Sequence, residues 1–185
     1  MRIVGGEFRG RPLAAPAGRD TRPTTDRLRQ TVFDILAHGH GDPVKGARVL
    51  DLFAGTGALG LEALSRGATY ALFVEEAVAA RAAIRSNVEA LGLTGRTRIF
   101  RRDATMLGPA GTVAPFDLVF ADPPYGRGLG EMALAAALAG GWLKPGALVV
   151  LEDEASAVLA PVAGLGVVDD RVISGARITF LQSTG

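Results

Sequence analysis

The chain has 185 residues and a hydrophobic share of 48%, which fits one domain of ordinary size with a single core and leaves no room for a second. It contains no cysteine and only two histidines, His38 and His40, which excludes disulfide scaffolds, thiolate chemistry and histidine-rich metal sites. The net charge of +1 conceals an asymmetry, because residues 1–30 hold seven arginines against three acids while the remaining 155 residues are net acidic.

The amino end lacks the apolar run of a secretory signal, and no stretch approaches a membrane span, so a cytoplasmic protein is expected. Gly5, Gly6, Gly10 and Pro12 break the first dozen residues into short extended pieces, as in a small hairpin. Thr24, Thr25 and Asp26 then offer helix-capping oxygens, and Leu28, Val32, Ile35 and Leu36 recur at helical spacing to about Ala37. Residues 1–37 thus read as a basic arm and helix, with solubilising charge, Arg27 and Arg29 lying on a solvated helix face, as the alternative to a phosphate-binding role. Residues 44–185 read as the Rossmann-like core of the same single domain.

From Arg48 onward, short apolar runs alternate with alanine-rich segments of helical period, the pattern of an α/β domain with a mostly parallel sheet. Strands are predicted at 48–53, 70–75, 97–101, 117–122, 147–152, 166–173 and 176–182. Helices are predicted at 57–66, 76–91, 129–139 and 153–160. Only Ser174 and Gly175 separate the last two strands, so these form an antiparallel hairpin at the end of the seven-stranded sheet.

The first predicted strand runs into a glycine-rich turn, Asp51-Leu-Phe53-Ala54-Gly55-Thr-Gly57-Ala-Leu-Gly60. Such a turn lets the backbone approach a ligand closely and places a helix N-terminus against it. Glu75, at the end of the second strand, stands where a carboxylate accepts hydrogen bonds from both hydroxyls of an adenosine ribose. After the third strand, Asp103 is placed to bond the adenine amino group, and the Ala104 amide to meet the ring. Asp51, Glu75 and Asp103 all fall at the carboxyl edge of the sheet, where open α/β sheets bind ligands.

Gly55, Gly57 and Gly60 also spell the dinucleotide fingerprint, so a nicotinamide dehydrogenase and a tight turn binding nothing both compete. Asp51 ahead of the loop, where it meets an ammonium, and the lack of an evident pyrophosphate site favour S-adenosylmethionine.

Asp122-Pro123-Pro124-Tyr125 follows the apolar run Leu118 to Ala121 directly. Two prolines hold the backbone extended and remove two amide donors, leaving carbonyls as fixed acceptors. An amino group on a nucleobase needs acceptors, because its lone pair is delocalised into the ring. Accepting both hydrogens at Asp122 and a proline carbonyl favours a pyramidal, attacking nitrogen. Tyr125 supplies a stacking face for a base withdrawn from its stack. A sulfonium methyl is already electrophilic, so no metal is required.

These residues resemble the bacterial 16S ribosomal RNA (guanine-N2-)-methyltransferase family. The similarity runs through Arg2-Ile-Val-Gly-Gly, Phe8-Arg9-Gly-Arg11, Arg22-Pro-Thr-Thr-Asp-Arg27-Leu-Arg, the glycine loop with its following helix, Asp122-Pro-Pro-Tyr and Gly141-Trp-Leu. By position, the resemblance implies that Asp51, Gly55, Gly57, Glu75 and Asp103 hold S-adenosylmethionine. It implies likewise that Asp122 to Tyr125 hold a flipped guanine, and that the partner is 16S rRNA in an assembled or assembling small subunit. Phe53 stands where many methyltransferases have a glycine, and it joins Ala54 in the cofactor loop. Arg9, Arg11, Arg22, Arg27 and Arg127 are the candidate RNA contacts, in keeping with an arm whose seven arginines form a phosphate-binding surface.

A monomer is expected. The alternatives are an adenine amino-methyltransferase acting on DNA or RNA, and an RNA-binding module that senses the cofactor without turnover; the intact tetrapeptide argues against the second. His38 and His40 read as a polar loop, Asn87 as a helix-surface amide and Trp142 as a packing residue.

Overall fold

The computed structural model describes residues 1–16 and 25–185; Arg22 and Thr24 lie outside them. Helix α1 (Asp26–Gly39) is capped by Thr25, whose Oγ1 accepts from the Leu28 amide at 3.1 Å, and it buries Leu28, Val32, Phe33 and Leu36.

Seven strands form one sheet: β1 (Arg48–Leu52), β2 (Tyr70–Val74), β3 (Thr97–Phe100), β4 (Phe116–Ala121), β5 (Leu143–Glu154), β6 (Leu165–Ile173) and β7 (Ala176–Ser183). Their spatial order is β3-β2-β1-β4-β5-β7-β6. Strands β1 to β5 pair in parallel, and β7 pairs antiparallel with both β5 and β6. Ser174 and Gly175 both have positive φ (52° and 82°), as a two-residue hairpin turn between right-twisted strands requires.

Helices α2 (Ala58–Ser65), α3 (Val78–Ala90) and α4 (Leu129–Ala139) cover the sheet. Alternation along the strands divides the core into two layers. Val49, Phe73, Leu118 and Phe120 face α1, α2 and α3. Leu50, Leu72, Val119 and Val149 face α4 and the fully buried Trp142, a packing residue as expected, whose Nε1 donates to Gly108 O at 2.7 Å.

The predicted helix at 153–160 does not form. Pairing of β5 with β7 continues as far as Glu154 opposite Ala176, beyond the apolar run, so the ladder claims the residues that would start the helix. After it Val158 is 92% exposed while Leu159 and Val162 pack inward, a pattern that gives no helix an apolar stripe.

Two further expectations are overturned where the arm meets the body. The arm does fold back on itself, with an antiparallel bridge between Arg2 and Pro12 and a bond from Ile3 N to Arg11 O at 2.9 Å. However, Arg29 is not on a solvated face: it is fully buried, so the seven arginines are not all surface. It lies one position past Leu28 on the inward side of α1, and the buried Glu62 of α2 supplies its counter-charge at 3.4 Å. Asp26 bonds Arg29 Nη2 at 2.8 Å, and the same nitrogen donates to Arg2 O. Glu62 also accepts from the amides of Val4 (2.9 Å) and Gly5 (2.8 Å) and from Arg66 Nε (2.7 Å).

Asn87 is likewise buried, not a surface amide. Its Oδ1 accepts from Ala14 N at 2.7 Å, and its Nδ2 donates to Ala14 O at 3.0 Å and Thr56 O at 3.1 Å, tying arm, α3 and glycine loop together. His38 lies in the last turn of α1 and not in a loop, whereas His40 does fall in the bend after it, its ring stacked on Phe180 at 4.7 Å. Among the described residues, no helix is long and apolar enough to cross a membrane.

Candidate active site

Strand order reverses between β1 and β4, which opens a crevice at the carboxyl ends of the strands. A cavity of about 880 Å³ occupies it. Its walls bring together Asp51, Phe53, Ala54, Gly55, Glu75, Asp103, Ala104, Asp122, Pro123, Pro124 and Tyr125, residues of four separate strand ends.

The loop after β1 takes its shape from backbone torsions. Phe53 has φ of 59°, a left-handed conformation that costs a non-glycine residue roughly 1–2 kcal/mol. This explains why glycine suits the position in other sequences, and it turns the Phe53 ring into the cavity wall. Gly57 does not line the cavity. It is the left-handed N-cap of α2 (φ 79°), so it shapes the loop from behind. Gly60 is required by close approach: a Cβ there would lie 2.5 Å from the Phe73 ring and 3.2 Å from Asp51 Oδ2.

Two carboxylates brace this loop. Buried Asp51 accepts from the Gly60 amide through Oδ2 at 3.0 Å. Burial pushes its carboxyl well above the usual carboxylate range; the Gly60 bond opposes this, and the nearby Asp122 and Glu75 charges reinforce it. Glu75 accepts from Gly55 N (2.9 Å) and Ala77 N (2.8 Å), joining the ends of β1 and β2 while its oxygens keep further acceptor positions. Asp103 caps the short turn after β3, accepting from Thr105 N at 2.8 Å and Thr105 Oγ1 at 2.7 Å. The Ala104 backbone is thereby held at the cavity edge.

At the end of β4, Asp122 and Tyr125 are half-buried, Pro123 is buried and Pro124 is exposed. The Tyr125 hydroxyl donates to Glu152 Oε1 at 2.7 Å. Glu152 was missed by sequence reasoning, although it falls at the carboxyl end of β5, the same sheet edge that singled out the other acids. Met1, Thr56, Glu76, Arg102 and Leu129 also line the wall and carried no signal of their own. Arg9, Arg11, Arg27 and Arg127 are exposed and outside the cavity, with Arg11 Nη2 donating to Ala90 O at 2.8 Å. The predicted Arg22 lies outside the described residues.

Among the described residues, six carboxylates, Asp51, Glu75, Glu76, Asp103, Asp122 and Glu152, face the cavity, against one cationic side chain, Arg102. Such a field attracts a ligand bearing sulfonium and ammonium groups and repels a pyrophosphate. The residues present therefore fit S-adenosylmethionine and not a nicotinamide dinucleotide.

A family model described as conserved hypothetical protein 95 matches residues 1–182. Ribosomal RNA small subunit methyltransferase D of Escherichia coli K12 is 42% identical over 155 residues, covering 83% of this chain and 75% of the relative. The protein of the same name from Haemophilus influenzae is 34% identical over 156 residues, covering 83% and 79%. Among solved structures, the Escherichia coli protein yhhF, provisionally described as a methyltransferase, aligns with a TM-score of 0.83 at 36% identity, covering 100% of this chain and 98% of that one.

Proposed function

Since the chain belongs to the family described as conserved hypothetical protein 95 and is an S-adenosylmethionine-dependent rRNA methyltransferase, we propose that its acceptor is the 2-amino group of a specific guanine in 16S rRNA. The base enters flipped out of its stack. The observation that carries this reading is the meeting, in one acidic cavity, of a loop shaped for a nucleoside with the proline-stiffened Asp122-to-Tyr125 turn.

S-adenosylmethionine supplies an electrophilic methyl group on sulfur. The chain's own residues bind and align. Asp51 and the glycine loop hold the methionine end, Glu75 the ribose, and Asp103 with the Ala104 amide the adenine. Asp122 and a proline carbonyl accept the two amino hydrogens of the guanine and aim the nitrogen lone pair at the methyl carbon. Tyr125 stacks on the base. As the nitrogen–carbon bond forms and the carbon–sulfur bond breaks, the amino group gives up a proton to Asp122 or to water.

Arg9, Arg11, Arg27 and Arg127, outside the cavity, together with Arg22, bind phosphates and position the particle without reading sequence. The substrate is the small subunit or its assembly intermediate, and the enzyme acts as a cytoplasmic monomer. The test is incubation with labelled S-adenosylmethionine and small subunits from cells lacking such enzymes, followed by digestion and nucleoside identification. N2-methylguanosine is the expected product. Methyladenosine without methylguanosine would replace this reading with the adenine one.

A further inference from the structure

The register of β4 and β5 places Ala121 opposite Leu151, so Asp122, just past the end of β4, and Glu152, near the carboxyl end of β5, follow at the same level on two adjacent parallel strands. Neighbouring strands lie about 4.8 Å apart, which sets two carboxylates side by side on one wall. Both line the cavity, and Glu152 is 8% exposed. Burying a carboxylate is costly unless what it meets repays the lost hydration. Within the protein Glu152 Oε1 accepts from the Tyr125 hydroxyl at 2.7 Å, which fixes the ring expected to stack on the base and turns the carboxylate toward the same place.

We propose that Glu152 determines base specificity: paired with Asp122, it accepts the ring N1–H of guanine while Asp122 holds the adjacent 2-amino group. This rests on the guanine reading above. On guanine the amino group and N1–H are neighbouring donors on one edge of the base, matching two neighbouring acceptors. On adenine the ring nitrogen beside the amino group is itself an acceptor, and a carboxylate facing it repels it. A site built around a base donor rejects a base that lacks it, because the site's own polar group is left unpaired. The residue therefore does in the cavity what the Asp-Pro-Pro-Tyr turn cannot, since that turn handles any exocyclic amino group.

The experiment uses small subunits reconstituted with 16S rRNA that carries either guanine or 2-aminopurine at the position the wild-type enzyme methylates. 2-Aminopurine keeps the 2-amino group but presents an acceptor at N1. The wild type is expected to prefer guanine by roughly 10- to 100-fold in kcat/KM, the discrimination given by one well-placed polar readout. The Glu152→Gln variant, whose amide can donate to N1, is expected to lose most of that preference while binding S-adenosylhomocysteine within about threefold of wild type by calorimetry. Tyr125→Phe removes the hydroxyl and keeps the carboxylate, and is expected to preserve the preference.

A wild type that methylates both bases equally overturns the proposal without needing any variant. So does a Glu152→Gln variant with the wild-type ratio, or a Tyr125→Phe variant that loses the preference as fully, which would reduce Glu152 to a support for the tyrosine. Failure of the wild type to methylate any guanine would instead overturn the guanine reading itself.

Discussion

Asp122 and Asp51 sit on the same cavity wall and are engaged in different ways. On the proposed reading Asp122 faces the acceptor, so Asp122→Ala should leave S-adenosylmethionine affinity within a few fold by calorimetry while turnover on small subunits falls below about 1% of wild type, the scale of a missing alignment group. Surviving turnover would mean that another group positions the amine. Asp51 is buried behind the glycine loop, and its folded-state pKa is raised, first by burial and then by Asp122 and Glu75 against the Gly60 bond. The folded protein therefore holds this proton to higher pH than the unfolded chain does. The stability linked to it is complete below the unfolded value near 3.9 and is lost as pH rises through the folded value. Asp51→Asn keeps an acceptor for Gly60 N, so the variant should be more stable than wild type at neutral pH without ligand, by urea titration across pH 4 to 8. A cationic cofactor favours the ionised form, so wild-type affinity should rise with pH over that range, and the variant's should stay flat.

At the scale of elements, the arm is held by interior groups. Glu62 joins four partners from α1, α2 and the first strand-like piece, and truncating it leaves Arg29 charged and buried. Glu62→Ala should cost about 3–5 kcal/mol in denaturant unfolding, and part of this should return when Arg29→Met is added, because the buried guanidinium that lost one of its two counter-charges is then gone. None of this network was legible in the sequence. Glu62 and Arg29 are ordinary helix residues until α1 and α2 are seen packed together, and Asn87 gives no period or motif to read. The strands other than β5 were readable to within a residue at each end, since buried parallel strands are short apolar runs bounded by glycine and acid; β5 starts four residues earlier and ends two later than its apolar run. The carboxyl-edge rule picked out Asp51, Glu75 and Asp103, which line the cavity together with Asp122, found from its tetrapeptide. It would have reached Glu152 as well, since the fifth predicted strand, 147–152, ends on that residue. The absent helix at 153–160 has the same origin: hydrogen-bond pairing carried β5 beyond its apolar stretch, and pairing leaves no trace in hydropathy.

On the scale of the whole molecule, charge is divided between an acidic cavity and exposed arginines outside it. Replacing Arg9, Arg11 and Arg27 together by alanine should weaken binding to small subunits and make log K less steep against log salt by about 0.7–0.9 for each phosphate that is no longer neutralised, with cofactor affinity unchanged. An unaltered slope would show that these arginines do not touch RNA. The docking of Ala14 onto Asn87 and of Val4 and Gly5 onto Glu62 has a consequence for how the protein is made. The arm has no seat until segments some sixty to seventy positions later have left the ribosome and coiled into helices. It thus waits, exposed to proteases, during synthesis, and settles only after pieces that are made later.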